Sequence, residues 1–362
     1  AGPRHGARPS GARLTERKLE RKTRVAVLGA TGYSGAELCV LLARHPHAEI
    51  VSLFFSGKKD SRAVPFARLH PLLGGAAGPD AEPFFEGRLD ASRPDVVFLA
   101  TPNETSAGLA PKILESGAKV IDISGAFRLR EAADYPKWYG FEHPAPGLLA
   151  EAVYGLTEWC GPELAGARLV ANPGCYPTSV LLALKPVLPL LASGEAVVCD
   201  SKSGVSGAGK KSDVAYSFGE LDGNFKAYGV GVHRHEPEMR QELGLSPEAP
   251  FVFVPHLLPT VRGLLSTLHV AFAKPQTAEA LAAAFARAYP AAPFVRVRPA
   301  GELPELRDVV GTPRAEIGFA LLQGGRRGVL VSVIDNLLKG AASQAVQNMN
   351  RVFGHPETEG LS

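Results

Sequence analysis

An apolar run, Val25-Ala26-Val27-Leu28, breaks directly into Gly29-Ala30-Thr31-Gly32-Tyr33-Ser34-Gly35 and then into the helix-patterned stretch Ala36 to Arg44. No other feature of this 362-residue chain restricts its fold as tightly. Gly29 permits a tight turn, and Gly32 lets a ligand approach the backbone closely. The unpaired N–H groups at the start of a helix then attract a diphosphate. The spacing is GxxGxxG rather than GxGxxG, and the strand, turn and helix around it are what make the motif informative.

The end of the next strand, Glu49 to Phe55, selects the nucleotide. An acidic residue there binds the ribose hydroxyls of NAD. This chain has Ser56-Gly57-Lys58-Lys59, a hydroxyl and two lysines suited to a 2′-phosphate, so the expected cofactor is NADP(H). Reductases with a similar turn work through a Tyr-x-x-x-Lys pair, but none of the eight tyrosines has a lysine four residues later. Another nucleophile or proton carrier is required.

Further strands at Asp95 to Ala100 and Lys119 to Ile123 flank a helix at Ser106 to Glu115. Strands fed by helices predict an α/β unit with a doubly wound parallel Rossmann-type sheet. Beyond about Asn172 a long helix, Cys175 to Leu191, precedes strands near 196–202, 251–255, 263–272, 294–298, 316–322 and 328–334. Gln323 to Arg327 reads as a hairpin connection, and Ala278 to Tyr289 is the only segment that fits a crossover helix. This is an α+β catalytic domain with a largely antiparallel sheet. The expected division is a basic disordered arm at 1–23, an NADP-binding domain at 24–171 and a catalytic domain at 172–335, with a last helix at 336–353 packing back on the first.

Residues 1–24 hold eight Lys or Arg against Glu16 and Glu20, read as a solvated extension or a processed transit peptide. The net charge of +3 therefore belongs to the arm, and the remainder is slightly acidic. Such a body offers no attraction to nucleic acid or a membrane surface. Cys39, Cys160, Cys175 and Cys199 are scattered without a CxxC pair, which argues against disulfides and a zinc site and for the cytoplasm. The apolar stretch Ser179 to Ala192 is broken by Lys185, Pro186 and Pro189, short of a membrane span.

Asn172-Pro173-Gly174-Cys175-Tyr176-Pro177-Thr178 carries the strongest chemical signal. Cys175 falls at a helix start, where unpaired N–H groups favour a thiolate and would also hold an oxyanion. A thiol pKa below the free value is expected. His233-Arg234-His235-Glu236-Pro237-Glu238 supplies a proton carrier, with Glu238 placed to orient the His235 ring and His233 as the alternative base. A metal pair at this HxH lacks a third ligand cluster; His45-Pro46-His47 reads as a solvated helix end. Ser203-Gly204-Val205-Ser206-Gly207-Ala208-Gly209-Lys210 is a small-residue loop suited to a nicotinamide or a phosphate.

With these blocks assembled, the chain from about Arg24 to Phe353 resembles the N-acetyl-gamma-glutamyl-phosphate reductases, the arginine-pathway branch of the semialdehyde dehydrogenase family. The matching blocks are ANPGCYPTS at Ala171 to Ser179, EAVYGLTE at Glu151 to Glu158, SGVSGAG at Ser203 to Gly209, HRHxPE at His233 to Glu238 and DNLLKGAASQAVQNMN at Asp335 to Asn350. The resemblance implies NADPH-dependent reduction of an acyl phosphate to a semialdehyde, in a homo-oligomer (dimer or tetramer). It implies Cys175 as the acyl-accepting nucleophile, His235 as the acid-base residue, and Glu238 behind it. It places Gly29, Thr31, Gly32, Tyr33, Ser34 and Gly35 at the cofactor turn, Ser56 and Lys58 at the 2′-phosphate, and Ser203, Ser206, Gly207 and Asn336 at the nicotinamide end. Arg128 and Arg234 are the candidates for substrate carboxylate or phosphate. Family members often carry Pro-His-Gly where this chain has Pro102-Asn103-Glu104, and Ala-Asp-Phe-Arg where it has Gly125-Ala126-Phe127-Arg128. A lysine-pathway reductase acting on a carrier-bound aminoadipyl phosphate, an aspartate-semialdehyde dehydrogenase and a non-catalytic NADP-binding protein are the alternatives.

Overall fold

Seven parallel strands in the order β3-β2-β1-β4-β5-β7-β6 form the first sheet of the computed structural model, which describes residue 2 and residues 21–58, 60–84, 86–210 and 214–361. They are β1 (Thr23–Leu28), β2 (Ala48–Phe55), β3 (Ala81–Pro83), β4 (Val96–Leu99), β5 (Lys119–Asp122), β6 (Val153–Tyr154) and β7 (Leu169–Ala171). The strand order reverses beside β1, and a crevice opens there at the carboxyl ends of β1 and β4. The arm expected at the start of the chain lies, up to residue 20 and apart from residue 2, outside the described residues.

Helix α1 (Tyr33–Arg44) buries Leu38, Cys39, Val40 and Leu42 on one face of this sheet. Helix α2 (Asn103–Glu115) buries Ala107, Ala110, Ile113 and Leu114 on the other, starting directly after Pro102 and so three residues earlier than its apolar pattern suggests.

The second sheet has the order β12-β13-β14-β11-β8-β10-β9. Its strands are β8 (Val197–Gly204), β9 (Lys226–Ala227), β10 (Phe251–Leu258), β11 (Leu264–Ala271), β12 (Val295–Val297), β13 (Ala315–Leu322) and β14 (Arg327–Ile334). Four of its six pairings are antiparallel; β8 with β10 and β12 with β13 are parallel. The connection between parallel β8 and β10 carries helix α4 (His235–Leu243), a crossover that the weak apolar pattern of HEPEMRQEL conceals.

Helix α3 (Cys175–Leu184) is buried along every residue from Tyr176 to Leu184, as its apolarity on all sides requires. It stops seven residues before Leu191, because Pro186 and Pro189 lack the N–H groups a continuing helix needs. Helix α5 (Ala278–Ala288) adds Leu281 and Phe285 to the same core.

The last helix begins as a π-helical turn, Leu338–Ala342, and continues as α6 (Ser343–Phe353). Val346, Met349 and Val352 pack in one cluster with Val25, Val27, Leu38 and Phe98, so the chain returns to the first sheet. Each such side chain contributes roughly 1.5–3 kcal/mol of burial. That return carries the segment 335–342 between the two sheets.

Candidate active site

β7 ends at Ala171, and Asn172-Pro173-Gly174 leads straight into α3 with Cys175 as its first residue. Gly174 is extended (φ −67°, ψ 155°), and no side chain caps the helix. Asn172 is fixed on both ends of its amide: it donates to the carbonyl of Ala341 at 3.2 Å and accepts from Asn348 at 3.0 Å. The backbone on either side of the cysteine is closely enclosed. A Cβ added to Gly174 would fall 2.6 Å from His235 Nε2 and 2.9 Å from Arg128 Nη1. One added to Gly340 would fall 2.7 Å from the Cβ of Cys175.

Glu238 is fully buried on α4, one turn after His235. Its Oε1 accepts the N–H of Gly174 at 2.8 Å and the hydroxyl of Tyr154 at 2.7 Å, and its Oε2 lies 3.5 Å from Arg128 Nη1. It therefore does not orient the His235 ring as its spacing suggested. The Nε2 of His235 lies 3.4 Å from Arg128 Nη1, its Nδ1 has no partner among the described residues, and its backbone N–H donates to His233 Nδ1 at 3.1 Å. Arg128 is itself buried, its guanidinium donating to the carbonyls of Asn172 and Ile123 at 2.8 Å each. Arg234 is exposed at the start of α4.

Burial sets the protonation of this cluster. Although Cys175 as a residue is only half-buried, desolvation pushes its thiol up to about 11, against the pull of Arg128 and of its helix-start N–H contact. The expected fall in thiol pKa is thus corrected: helix-start N–H groups act within one turn, while removal of water penalises the whole charge. Burial likewise lowers His235 well below the ordinary imidazole value, with His233 and Arg128 adding to the effect. Burial and then Arg234 take His233 down to about 4. The free site at neutral pH is a neutral thiol beside neutral imidazoles.

The crevice beside β1 is built for a close backbone approach. Gly29 has φ +92°, and a Cβ there would lie 2.2 Å from the carbonyl oxygen of Ala100. Gly35 meets the Gly29 carbonyl in the same way, at 2.1 Å. Gly32 meets only that carbonyl, at 3.3 Å, so its outer side is open. No side chain caps α1, and Tyr33 is exposed at its start. Gly29 and Ala30 both donate to Phe54 O, which brings the turn to the end of β2, where Ser56, Gly57 and Lys58 are exposed; Lys59 lies outside the described residues. From the second sheet, Lys210 reaches the carbonyl of Thr31 at 3.3 Å.

The loop after β8 completes the crevice. Ser206 accepts from Asn336 Nδ2 at 2.9 Å, and Asn336 Oδ1 accepts the N–H of Gly263 at 2.8 Å. Ser203 is buried with its hydroxyl on Gly204 O, and a Cβ on the exposed Gly207 would lie 3.1 Å from it. An open glycine, an uncapped helix start and the exposed Ser56 and Lys58 at the end of β2 fit a dinucleotide with a 2′-phosphate.

Comparison with known proteins agrees with this geometry. The semialdehyde dehydrogenase NAD binding domain matches residues 24–167, and the semialdehyde dehydrogenase dimerisation domain matches residues 175–336. The chain is 44% identical over 349 residues to N-acetyl-gamma-glutamyl-phosphate reductase of Symbiobacterium thermophilum, covering 93% of this chain and 97% of the relative. It is 49% identical over 350 residues to the enzyme of that name from Halorhodospira halophila, with the same coverage. The chain belongs to the N-acetyl-gamma-glutamyl-phosphate reductase family. The same fold occurs in aspartate semialdehyde dehydrogenase II of Vibrio cholerae complexed with ASA, at TM-score 0.68 and 21% identity, covering 92% of this chain and 98% of that one.

Against that reductase family the two departures noted in the sequence meet in space. Asn103 Oδ1 accepts the N–H of Gly125 at 2.8 Å, and a Cβ on Gly125 would fall 2.3 Å from the ring of Tyr139. Tyr154 and Gly340 also join this candidate site, and sequence reasoning did not single them out; Lys210 closes the small-residue loop named from the sequence. Tyr154 lies in the EAVYGLTE block and Gly340 in DNLLKGAAS, but their contacts are with distant residues. His45 is corrected as well: it is 2% exposed and bonded to Asn350 at 2.8 Å, with His47 stacked on His355, because α6 covers the end of α1. No group of three His, Cys, Asp or Glu able to hold a metal occurs among the described residues, and no described helix is long and apolar enough to cross a membrane.

Proposed function

We propose that this protein reduces N-acetyl-gamma-glutamyl phosphate to N-acetylglutamate semialdehyde and phosphate in arginine biosynthesis, using NADPH and a cysteine thioester. The observation that carries the reading is Cys175 at the uncapped start of α3, next to a glycine whose missing Cβ makes room for His235 Nε2 and Arg128.

Neutral His235 takes the proton of Cys175 as the sulfur bonds to the acyl carbon. The free N–H groups of the first turn of α3 hold the oxyanion, and the bond to phosphate breaks with its electron pair leaving on phosphate. Arg128 Nη1 and the exposed Arg234 balance the negative charge of the substrate. Gly29, Thr31, Gly32, Tyr33, Ser34 and Gly35 hold the diphosphate, Ser56 and Lys58 the 2′-phosphate, and Ser203, Ser206, Gly207 and Asn336 the nicotinamide end. Bound NADPH supplies the hydride that reduces the thioester carbon. The thiohemiacetal anion so formed, held by the same N–H groups, re-forms a carbonyl as the carbon–sulfur bond breaks, and His235 returns to the sulfur the proton it took from Cys175.

The reverse assay tests this: N-acetylglutamate semialdehyde, phosphate and NADP, followed by absorbance. Turnover with NADP and none with NAD is expected; equal signal with NAD alone removes the role given to Ser56 and Lys58. His235→Asn is expected to lose more than 100-fold in kcat, and a larger loss in His233→Asn would move the acid-base role to His233. The matched dimerisation domain supports a homo-oligomer, which sedimentation would establish, and four unpaired cysteines support a cytoplasmic setting.

A further inference from the structure

Arg262 lies on the turn between β10 and β11 and binds carboxylates from both halves of the molecule. Its Nη1 lies 2.5 Å from Glu37 Oε1, and its Nε donates to Asp335 Oδ2 at 3.0 Å. Its Nη2 is buried without a partner among the described residues. Glu37 belongs to α1, two residues beyond the last glycine of the cofactor turn, and its Oε1 also lies 3.3 Å from His70 Nε2. Asp335 is fully buried and held by three backbone N–H groups: Oδ1 accepts from Leu337 and Leu338, and Oδ2 also accepts from Gly311.

The turn that carries Arg262 also holds the loop after β8. The carbonyls of Gly263, Thr260 and Val261 accept the N–H groups of Gly204, Val205 and Ser206 at 2.8, 2.9 and 3.2 Å. The N–H of Gly263 binds the side chain of Asn336, the neighbour of Asp335. One guanidinium thus ties the helix that starts at the diphosphate turn to the loop and the asparagine assigned to the nicotinamide end. The contacts of Glu238 with Arg128 and Tyr154 also join the two halves, but at the thiol rather than at α1.

We infer that Arg262 is a positioning residue that sets the width of the cofactor cleft through Glu37 and Asp335. The inference rests on the proposed placement of NADPH between the Gly29 turn and the loop 203–207. A two-ended ligand binds tightly only if both ends of its cleft are held at the right separation before it arrives, since any reorganisation is subtracted from its affinity. Arg262 touches neither Cys175 nor His235, so its effect falls on the cofactor rather than on the thiol.

The test is NADPH titration by fluorescence in the full chain, together with steady-state kinetics. Arg262→Met is expected to raise the Kd and KM for NADPH tenfold or more, with kcat at saturating cofactor within about threefold of the parent. Glu37→Gln, which keeps the shape of the side chain, is expected to act in the same direction. The double variant is expected to be no worse than the weaker-binding single one, because both break the same link. Alkylation of Cys175 by iodoacetamide at pH 8 is expected to stay within twofold. An unchanged NADPH Kd in folded Arg262→Met or Glu37→Gln overturns the inference, as do fully multiplicative losses in the double variant. Failure of the unaltered protein to bind NADPH overturns the cofactor reading itself, and the inference with it.

Discussion

Glu238 Oε1 accepts the N–H of Gly174 at 2.8 Å, joining residues 64 positions apart so that one buried carboxylate fixes the backbone directly before Cys175. The same carboxylate group faces Arg128 and receives the Tyr154 hydroxyl, so α4 and α3 are locked together at the point where the thiol emerges. This makes Glu238 a support for the nucleophile rather than for the imidazole on its own helix.

Removing that carboxylate leaves the Arg128 charge buried without its partner. Glu238→Ala is expected to lose about 3–5 kcal/mol of stability, the range for breaking a buried ion pair from one side. Tyr154→Phe removes one hydrogen bond and is expected to cost about 1–3 kcal/mol. Urea unfolding followed by circular dichroism measures both, and equal losses in the two variants would show that Glu238 acts only through Tyr154.

A thiol held at about 11 reacts slowly at neutral pH. In the free protein the rate of Cys175 alkylation by iodoacetamide is expected to rise about tenfold per pH unit from pH 7 to pH 9, because the thiolate fraction grows tenfold per unit below the pKa. A plateau near pH 7 would mean that the helix-start N–H groups and Arg128 outweigh burial. Cys175→Ser is expected to remove nearly all turnover while NADPH binding measured by titration is unchanged.

The two imidazoles make acid destabilising. In the folded state His233 is held at about 4 and His235 well below 6.5, both chiefly by burial, whereas the unfolded chain protonates them near the ordinary value. Their contribution is complete above about pH 6.5 and is lost as the pH falls, since the unfolded state then binds more protons. Each group adds a slope of up to about 1.4 kcal/mol per pH unit in that window. The difference in urea midpoint between the parent and His233→Asn is therefore expected to shrink from pH 7 to pH 4.5. A difference independent of pH would mean that folding leaves the His233 pKa unshifted.

The parts of the site that the sequence reveals are those encoded by neighbours along the chain. The Gly29 to Gly35 turn, the cysteine at a helix start and the histidine pair leading into a helix each depend on a few consecutive residues; the turn and the cysteine lie as expected, while the helix begins at His235 itself. The partners that hold them are encoded across the fold: Glu238 with Gly174, Arg262 with Glu37 over 225 positions, and Gly340 against Cys175. Spacing within one helix directed Glu238 to His235, yet the backbone N–H of Gly174 and the Tyr154 hydroxyl were closer to hand. The thiol shift failed for a related reason, because helix-start N–H groups can be read from position whereas desolvation depends on what the rest of the chain brings over the site. His45 was misplaced by the same absence, since nothing near it in the sequence shows that Asn350 and His355 cover it.

Gly340 gives the sharpest check on how tightly the nucleophile is enclosed. It sits in the π-helical turn Leu338–Ala342, with its N–H bonded to the carbonyl of Asp335. A methyl group there would lie 2.7 Å from the Cβ of Cys175 and 3.2 Å from its Cα, well inside normal contact. Neither side can yield cheaply, because α3 is buried along its length and α6 is anchored in the core of the first sheet. Gly340→Ala is expected to reduce kcat by at least tenfold, since a displacement of about 1 Å at a reacting atom costs roughly 100-fold. Its NADPH Kd is expected to change less than kcat, because the added methyl group would meet Cys175 and Ile334 rather than Gly29 or Ser56. Kinetics and cofactor titration on the same preparation distinguish this from general unfolding, in which both quantities would fail together.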